Sequence, residues 1–146
     1  MDSTKATLNK PLRLALIGSS GKMGQEISSL LQEKIWSDKF QLVAGLTSQS
    51  KKELPAVDIV IDFSKKESTL AWLEELSQHK VPTLLCTTGF SAEDFSLIKS
   101  NLKGQAWAYI PNTSVGIYAF IRCLCGLVKF FNDIQSLEIL EIHHTQ

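Results

Sequence analysis

Three glycines directly after an apolar run have a spacing that suits the binding of a dinucleotide pyrophosphate. Gly18, Gly21 and Gly24 follow the run 12–17 at intervals of three residues. The first glycine permits a tight turn, the second lets backbone approach the phosphates, and the third lets the next helix pack closely. The N–H groups and positive dipole end of that helix would then face the anion. The pattern G-x-x-G-x-x-G differs from the commoner G-x-G-x-x-G, and a purely structural connector is the alternative interpretation.

The segment after the second predicted strand bears on the choice of cofactor. In NAD-binding domains an acidic residue about 20 residues after the glycines binds the ribose hydroxyls. Here that position is Thr47, followed by Ser48, and the next carboxylate is Glu53. Hydroxyls and the lysines at 51 and 52 would accept a 2′-phosphate, which a carboxylate would repel. The sequence therefore favours NADPH, with NADH as the alternative, and a solvated loop face is the other interpretation of the two lysines.

The elements that must position these residues alternate between strand and helix. Continuous apolar runs are typical of strands buried on both faces, and apolar residues every three or four positions are typical of helices with one buried stripe. We expect strands at 12–17, 40–46, 57–61, 83–87, 106–110 and 137–142. We expect helices at 22–36, 66–79, 91–102 and 114–131, the third capped by Ser91 with Asp94 and the fourth by Thr113 or Ser114.

This order predicts an α/β fold, a Rossmann-type doubly wound parallel sheet with helices on both faces. The segment 47–56 is too short for the usual crossover helix and is expected to form a loop. In such a sheet the ligand lies beyond the carboxyl ends of the strands, where the strand order reverses. Small, hydroxyl-bearing and amide residues collect at these strand ends, which supports a binding site there, although polar loops are common in any fold.

Composition restricts the class of protein. The chain of 146 residues, 44% apolar and 21% charged, is long enough for one core, expected over residues 12–146. The charges of fifteen basic and fifteen acidic side chains cancel, so we expect no non-specific binding to nucleic acid or to an anionic membrane. Residues 1–11 are expected to form a disordered tail, not a signal peptide. The apolar stretch 115–131 is broken by Arg122, Gly126 and Lys129, so we expect a cytoplasmic protein.

Five segments in order carry a family resemblance. They are 18–24, 61–64, 87–90, 112–116 and 141–144. With them the chain, from about residue 12 to its last residue, resembles the 4-hydroxy-tetrahydrodipicolinate reductases (dihydrodipicolinate reductases) of bacterial and plant lysine and diaminopimelate synthesis. The resemblance implies NAD(P)H-dependent reduction of 4-hydroxy-tetrahydrodipicolinate, a small dicarboxylate, to tetrahydrodipicolinate. This chain would be the cofactor-binding half of that enzyme.

The resemblance also implies roles for single residues. His143 matches the acid/base histidine of the family and His144 a substrate-binding histidine. A histidine suits proton delivery beside hydride transfer because the pKa of its side chain lies near neutral pH. No metal site is implied. The residues expected to contact the cofactor, from the pyrophosphate turn to the nicotinamide half, are Gly18, Ser19, Ser20, Gly21, Lys22, Met23, Thr47, Ser48, Phe63, Cys86, Thr87, Thr88, Ile110, Pro111, Asn112 and Thr113.

The chain also departs from the family pattern. Cys86 stands where the family usually has glycine, Thr113 where it has phenylalanine and Tyr118 where it has asparagine. The family continues, one residue past Gln146, with a catalytic lysine, then with a D-A-P-S-G-T segment that binds substrate carboxylates. A β-rich second domain that forms the tetramer follows. We therefore expect these 146 residues to bind cofactor with little or no turnover.

Two alternative functions stay open from the sequence. The first is a non-catalytic NAD(P)-binding module. The second is another Rossmann dehydrogenase that acts on an amino-acid precursor, against which the segments 87–90 and 141–144 argue.

Overall fold

The computed structural model of the protein describes residues 10–128. The chain divides at Pro111, so the described part consists of a larger unit, 10–111, and a shorter one, 112–128. Most of the predicted tail, the predicted strand 137–142 and the paired histidines His143 and His144 lie outside the described residues. Within the described range, every helix is too short or too polar to span a membrane.

A parallel sheet of five strands forms the larger unit, as the sequence predicts. The strand order is β2-β1-β3-β4-β5, and every neighbouring pair is parallel. The chain passes from β1 to β2 on one side and then crosses to β3 on the other, so the order reverses between β1 and β3. The strands are β1 (Leu12–Ile17), β2 (Phe40–Leu46), β3 (Ile59–Asp62), β4 (Thr83–Leu85) and β5 (Trp107–Tyr109).

Helices cover both faces of this sheet. In the larger unit they are α1 (Lys22–Leu30), α2 (Lys34–Ser37), α3 (Lys66–His79) and α4 (Ala92–Asn101). Leu73 and Leu76 of α3 and Ile98 of α4 join Ile17 and Val60 of the strands in the main core, all at most 2% exposed. On the opposite face, residues of α1 and α2 surround a small apolar cavity of about 190 Å³ together with residues of the sheet: Leu14, Ile27, Leu30, Leu31, Trp36, Phe40 and Ile61.

The prediction of one continuous helix over 22–36 is wrong. After α1 the N–H of Glu33 donates to the carbonyl of Leu30, and Glu33 itself is extended, with ψ 139°, before α2 begins. In a straight helix Ile27 and Trp36 would lie on opposite sides, since they are nine residues apart. The break brings Trp36 to the same apolar cavity as Ile27 and leaves Ile35 62% exposed.

The other boundaries differ from the predictions by a few residues at most. The α3 bounds match the prediction, β3 begins two residues late, and β4 and β5 are shorter than expected. The predicted capping box at α4 is confirmed: Asp94 N–H donates to Ser91 Oγ at 3.2 Å and Ser91 N–H donates to Asp94 Oδ2 at 2.8 Å. In the shorter unit, α5 (Val115–Val128) begins where Ile117 N–H donates to Ser114 Oγ at 3.3 Å. Of the two predicted caps, Thr113 and Ser114, the one that accepts this bond is Ser114.

Candidate dinucleotide site

The turn after β1 has a left-handed backbone at Gly18, a conformation that residues with a side chain rarely adopt. Gly18 has φ +83°, and a Cβ built on it would lie 2.7 Å from the backbone N of Ser64 and 2.8 Å from the carbonyl of Phe63. The turn is held in place because the N–H of Gly18 donates to the carbonyl of Leu46 at 2.8 Å. The end of β1 is thereby in direct contact with the ends of both neighbouring strands.

The start of α1 packs against this turn. A Cβ on Gly24 would lie 2.3 Å from the carbonyl oxygen of Gly18 and 2.6 Å from Cα of Ser19, so a side chain at this position would push the helix away. The N–H of Gly21 donates back to Gly18 at 3.0 Å and closes the turn. The predicted close approach is confirmed, and its partner is the turn itself.

The first turn of α1 offers unpaired hydrogen-bond donors. Gly21 occupies the N-cap position and supplies no side-chain cap. Across residues 10–128, neither backbone nor side chain accepts from the N–H groups of Ser20, Lys22, Met23 or Gly24. Such groups at a helix N-terminus, with the positive end of the helix dipole behind them, suit a bound anion.

A cleft of about 470 Å³ opens beside these donors. It lies at the carboxyl ends of β1, β2 and β3, where the strand order reverses, and extends along the first two turns of α3. Six residues that the sequence assigns to the cofactor line it: Gly18, Ser20, Gly21, Thr47, Ser48 and Phe63. Lys52, one of the two lysines that the sequence suggests for a 2′-phosphate, also lines the cleft. Five further lining residues were not assigned from the sequence: Ser64, Lys65, Glu67, Ser68 and Ala71. These five belong to α3 or the residues before it, and helical periodicity alone gives no sign that a helix start borders a site.

The residues after β2 form a tight turn at the cleft. Thr47 N–H donates to Ser50 Oγ at 2.9 Å, and Ser50 N–H returns a bond to the carbonyl of Thr47 at 3.1 Å. Thr47 Oγ1 also accepts from the N–H of Gln49 at 3.3 Å. The nearest carboxylate of this loop, on Glu53, pairs with Lys51 and does not line the cleft. Hydroxyls and amides, rather than a carboxylate, therefore form this wall.

A buried carboxylate fixes the loops below the cleft. Asp62 is fully buried and accepts from Thr69 Oγ1 at 2.6 Å, from Ser64 N–H at 2.7 Å and from Thr87 Oγ1 at 3.3 Å. These bonds join the end of β3 to α3 and to the segment after β4. Sequence patterns do not predict this network, because its members are separated by up to 25 residues and share no regular spacing.

The residues expected at the nicotinamide half follow β4 and β5, outside the cleft. Cys86 and Thr87 are buried, whereas Thr88, Ile110 and Pro111 are exposed at the same edge of the sheet. Burial, with a smaller contribution from nearby Asp62, raises the pKa of the Cys86 thiol to about 11. Two further expected contacts, Asn112 and Thr113, belong to the shorter unit. The role of this group in cofactor binding stays a prediction.

Three residues of the predicted pyrophosphate turn do not line the cleft with their neighbours. Ser19 turns its hydroxyl back to the carbonyl of Leu46 at 3.3 Å and packs against Gly45. Lys22 and Met23 are exposed in the first turn of α1. Lys22 and Met23 offer their backbone N–H groups to an anion. Binding of an anion through these groups would not depend on the type of side chain.

Comparison with known proteins identifies the family. The family model described as "Dihydrodipicolinate reductase, N-terminus" matches residues 12–113, which is most of the chain. The chain belongs to this family. Proteins named 4-hydroxy-tetrahydrodipicolinate reductase are similar to it along nearly its whole length. That of Bdellovibrio bacteriovorus is 32% identical over 94% of this chain, that of Clostridium tetani 31% over 92%, and that of Clostridium perfringens 29% over 92%.

A solved dihydrodipicolinate reductase shows the same fold. The dipicolinate-bound enzyme from Paenisporosarcina sp. TG-14 superposes with a TM-score of 0.61 at 22% identity, over 84% of this chain and 56% of that one. The chain spans less than three fifths of the length of its relatives: 59%, 56% and 57% of the three reductases named above. The match therefore concerns the N-terminal part of the dihydrodipicolinate reductases.

Proposed function

We propose that this chain is the cofactor-binding half of an NAD(P)H-dependent reductase that converts 4-hydroxy-tetrahydrodipicolinate to tetrahydrodipicolinate in lysine and diaminopimelate synthesis. The observation that carries the proposal is the unpaired row of N–H groups after Gly18, beside a cleft at the reversal of strand order. Membership of the dihydrodipicolinate reductase family supports the reaction and the dicarboxylate substrate. A cytoplasmic location and a homotetramer formed through a second domain belong to the same proposal.

Different groups of the chain would bind the pyrophosphate, the adenosine ribose and the nicotinamide half of the cofactor. The backbone N–H groups of Ser20, Lys22 and Met23 would bind the pyrophosphate, since they have no other acceptor in the described chain. The turn at Thr47 and Ser48 would face the adenosine ribose, and Phe63 lines the same cleft. Ser19 belongs to the same proposed pyrophosphate turn. The contacts proposed along the nicotinamide half are Cys86, Thr87, Thr88, Ile110, Pro111, Asn112 and Thr113.

The preferred cofactor in this proposal is NADPH. A carboxylate after β2 would bind the ribose hydroxyls of NADH and repel a 2′-phosphate. The turn after β2 has hydroxyls instead, and Glu53 is engaged by Lys51. The turn after β2 thus lacks the carboxylate that would favour NADH.

The reduced nicotinamide, when bound, supplies the hydride that reduces the cyclic substrate. His143 would deliver the accompanying proton and His144 would bind the substrate. Both roles come from the family resemblance. A histidine suits this step because its side chain can give a proton to the substrate at physiological pH and then take up a new proton from solvent.

Calorimetric titration followed by a turnover assay tests the proposal. We expect the 146-residue chain to bind reduced cofactor with little or no turnover, and a chain extended past Gln146 with the family continuation to turn over the substrate. His143→Ala should abolish turnover by the extended chain and leave cofactor affinity unchanged. His79→Ala, which alters an exposed histidine paired with Glu75 at 3.1 Å, is the control and should affect neither.

Two results would contradict the proposal. Failure of the chain to bind either cofactor would remove its basis in the site. Binding by the extended chain without reduction of the substrate would favour a non-catalytic NAD(P)-binding module.

A further inference from the structure

Two adjacent lysines in the loop between β2 and β3 have different surroundings. Lys51 pairs with the carboxylate of Glu53, and both side chains are mostly exposed. Lys52 turns the other way: it lines the cleft, and its Nζ lies 4.5 Å from the centre of the Trp72 ring. The sequence does not distinguish these two side chains.

The position of Lys52 follows from how the loop is attached to α3. Leu54 is buried, and its N–H donates to Glu75 Oε1 at 2.7 Å. Trp72 lies one helical turn before Glu75 and is fully buried, so its ring is fixed by the core. The loop is therefore held at two neighbouring points of one helix face. Its lysine is directed to the cleft by the fold.

The charge of Lys52 has no carboxylate partner in the described part of the chain. The ion pairs there involve other cations, and the ring of Trp72 supplies a cation–π contact instead. Such a contact orients an ammonium group without using its N–H donors. An incoming anion could accept from Lys52 without first breaking a salt bridge. At Lys51, by contrast, it would compete with Glu53.

The other charged residues that line the cleft belong to a different element from Lys52. Lys52 lines the same cleft as Thr47 and Ser48 and belongs to the same loop after β2, whose first turn is proposed to face the adenosine ribose. Lys65 and Glu67, of opposite charge, line the cleft from the start of α3. Among the charged side chains that line the cleft, Lys52 is thus the cation that belongs to the loop with this turn.

We propose that Lys52, held by Trp72, binds the 2′-phosphate of NADPH and is the residue that makes this site prefer NADPH over NADH. This inference rests on the proposed function, because it assigns one side chain within the proposed cofactor site. The 2′-phosphate would thus be bound by a side chain of the loop, whereas the pyrophosphate would be bound by backbone N–H groups.

Calorimetry on the 146-residue chain tests the inference with NADPH, NADH and adenosine 2′,5′-bisphosphate as probes. Lys52→Gln should weaken NADPH and the bisphosphate about tenfold or more, the typical effect of losing a charge-assisted hydrogen bond, and change NADH less than twofold. Lys51→Gln is the matched control and should leave all three affinities within twofold. Lys52→Arg should restore most of the NADPH affinity. Circular dichroism melting of each variant verifies that the fold is retained.

The possible results separate this inference from the proposed function. Wild-type binding of neither dinucleotide would overturn both. Normal wild-type binding with the same NADPH affinity in Lys52→Gln would overturn the role of Lys52 alone. An equal loss of NADPH and NADH in that variant would also overturn it, because the lysine would then act on a group that the two cofactors share. A preference of the wild type for NADH would have the same consequence.

Discussion

Replacing Gly18 by alanine separates the effect of a side chain at the turn from the effect of backbone conformation. Gly18 has φ +83° and Gly104, in the loop after α4, has φ +81°. Alanine at either position must adopt a left-handed backbone. A Cβ at Gly104 would meet nothing within 4 Å, whereas at Gly18 it would lie 2.7–2.8 Å from three backbone atoms of Phe63 and Ser64. The pair therefore differs in the steric contact at the turn.

The magnitudes follow from these contacts. The left-handed backbone costs alanine about 1–2 kcal/mol relative to glycine in both variants. At Gly18 the new carbon must also gain on the order of 0.7 Å of separation from backbone, since carbon contacts are favourable only near 3.5–4 Å. Overpacking of this kind adds about 1–3 kcal/mol. We expect losses of about 1–2 kcal/mol for Gly104→Ala and about 2–5 kcal/mol for Gly18→Ala.

Urea denaturation followed by circular dichroism measures both losses. Cofactor titration of the folded variants gives a second comparison, in which Gly18→Ala should bind reduced cofactor at least about tenfold more weakly because the N–H groups are displaced. Gly104→Ala should bind as the wild type does. Equal losses of stability in the two variants, or full cofactor affinity in Gly18→Ala, would refute the argument that the turn must pack closely against the residues after β3.

Other contacts give four further expectations. Asp62→Ala leaves buried donors unpaired and should lower the free energy of unfolding by about 3 kcal/mol in urea; a loss below about 1 kcal/mol would contradict the network. Ser91→Ala removes the α4 cap and should cost about 1 kcal/mol by the same measurement. Arg13, through its hydrogen bonds and charge, lowers the pKa of the Asp58 carboxyl in the folded state, so this carboxylate stabilises the fold above its ordinary pKa and the stabilisation is lost as pH falls through the folded value. Wild type and Asp58→Asn should accordingly differ in stability near neutral pH and converge in acid. Cys86, with its pKa raised to about 11, should react with iodoacetamide at pH 8 slowly in the folded chain and rapidly in urea, as followed by mass spectrometry of the peptide that contains it.

Much of the fold could be predicted from short-range patterns. Three predicted features depend only on residues close together in the sequence: the glycines of residues 18–24, the buried side of α3 with Leu73 and Leu76, and the Ser91 cap. All three are present in the structure. The order of apolar runs was enough to predict a parallel sheet, because successive parallel strands require connections of this type. The proposed pyrophosphate position follows from the same local rule.

The features that could not be predicted from the sequence depend on contacts between residues that are distant along the chain or brought together by the fold. The break after α1 has no proline or glycine to mark it and is explained by Trp36 and Ile27 meeting across the same cavity. The Asp62 network and the contact of Lys52 with Trp72 join residues distant along the chain. Periodicity has no information about such pairs. The proposed roles of His143 and His144 depend on the family resemblance alone.

Nuclear magnetic resonance of the 15N-labelled chain during titration with NADPH tests the central claim most directly. We predict that the largest amide shifts fall on Ser20, Lys22, Met23 and Gly24, whose N–H groups have no acceptor within residues 10–128. Saturable binding that leaves these four amides unmoved and shifts residues elsewhere would contradict the account, and so would the absence of any binding at millimolar cofactor.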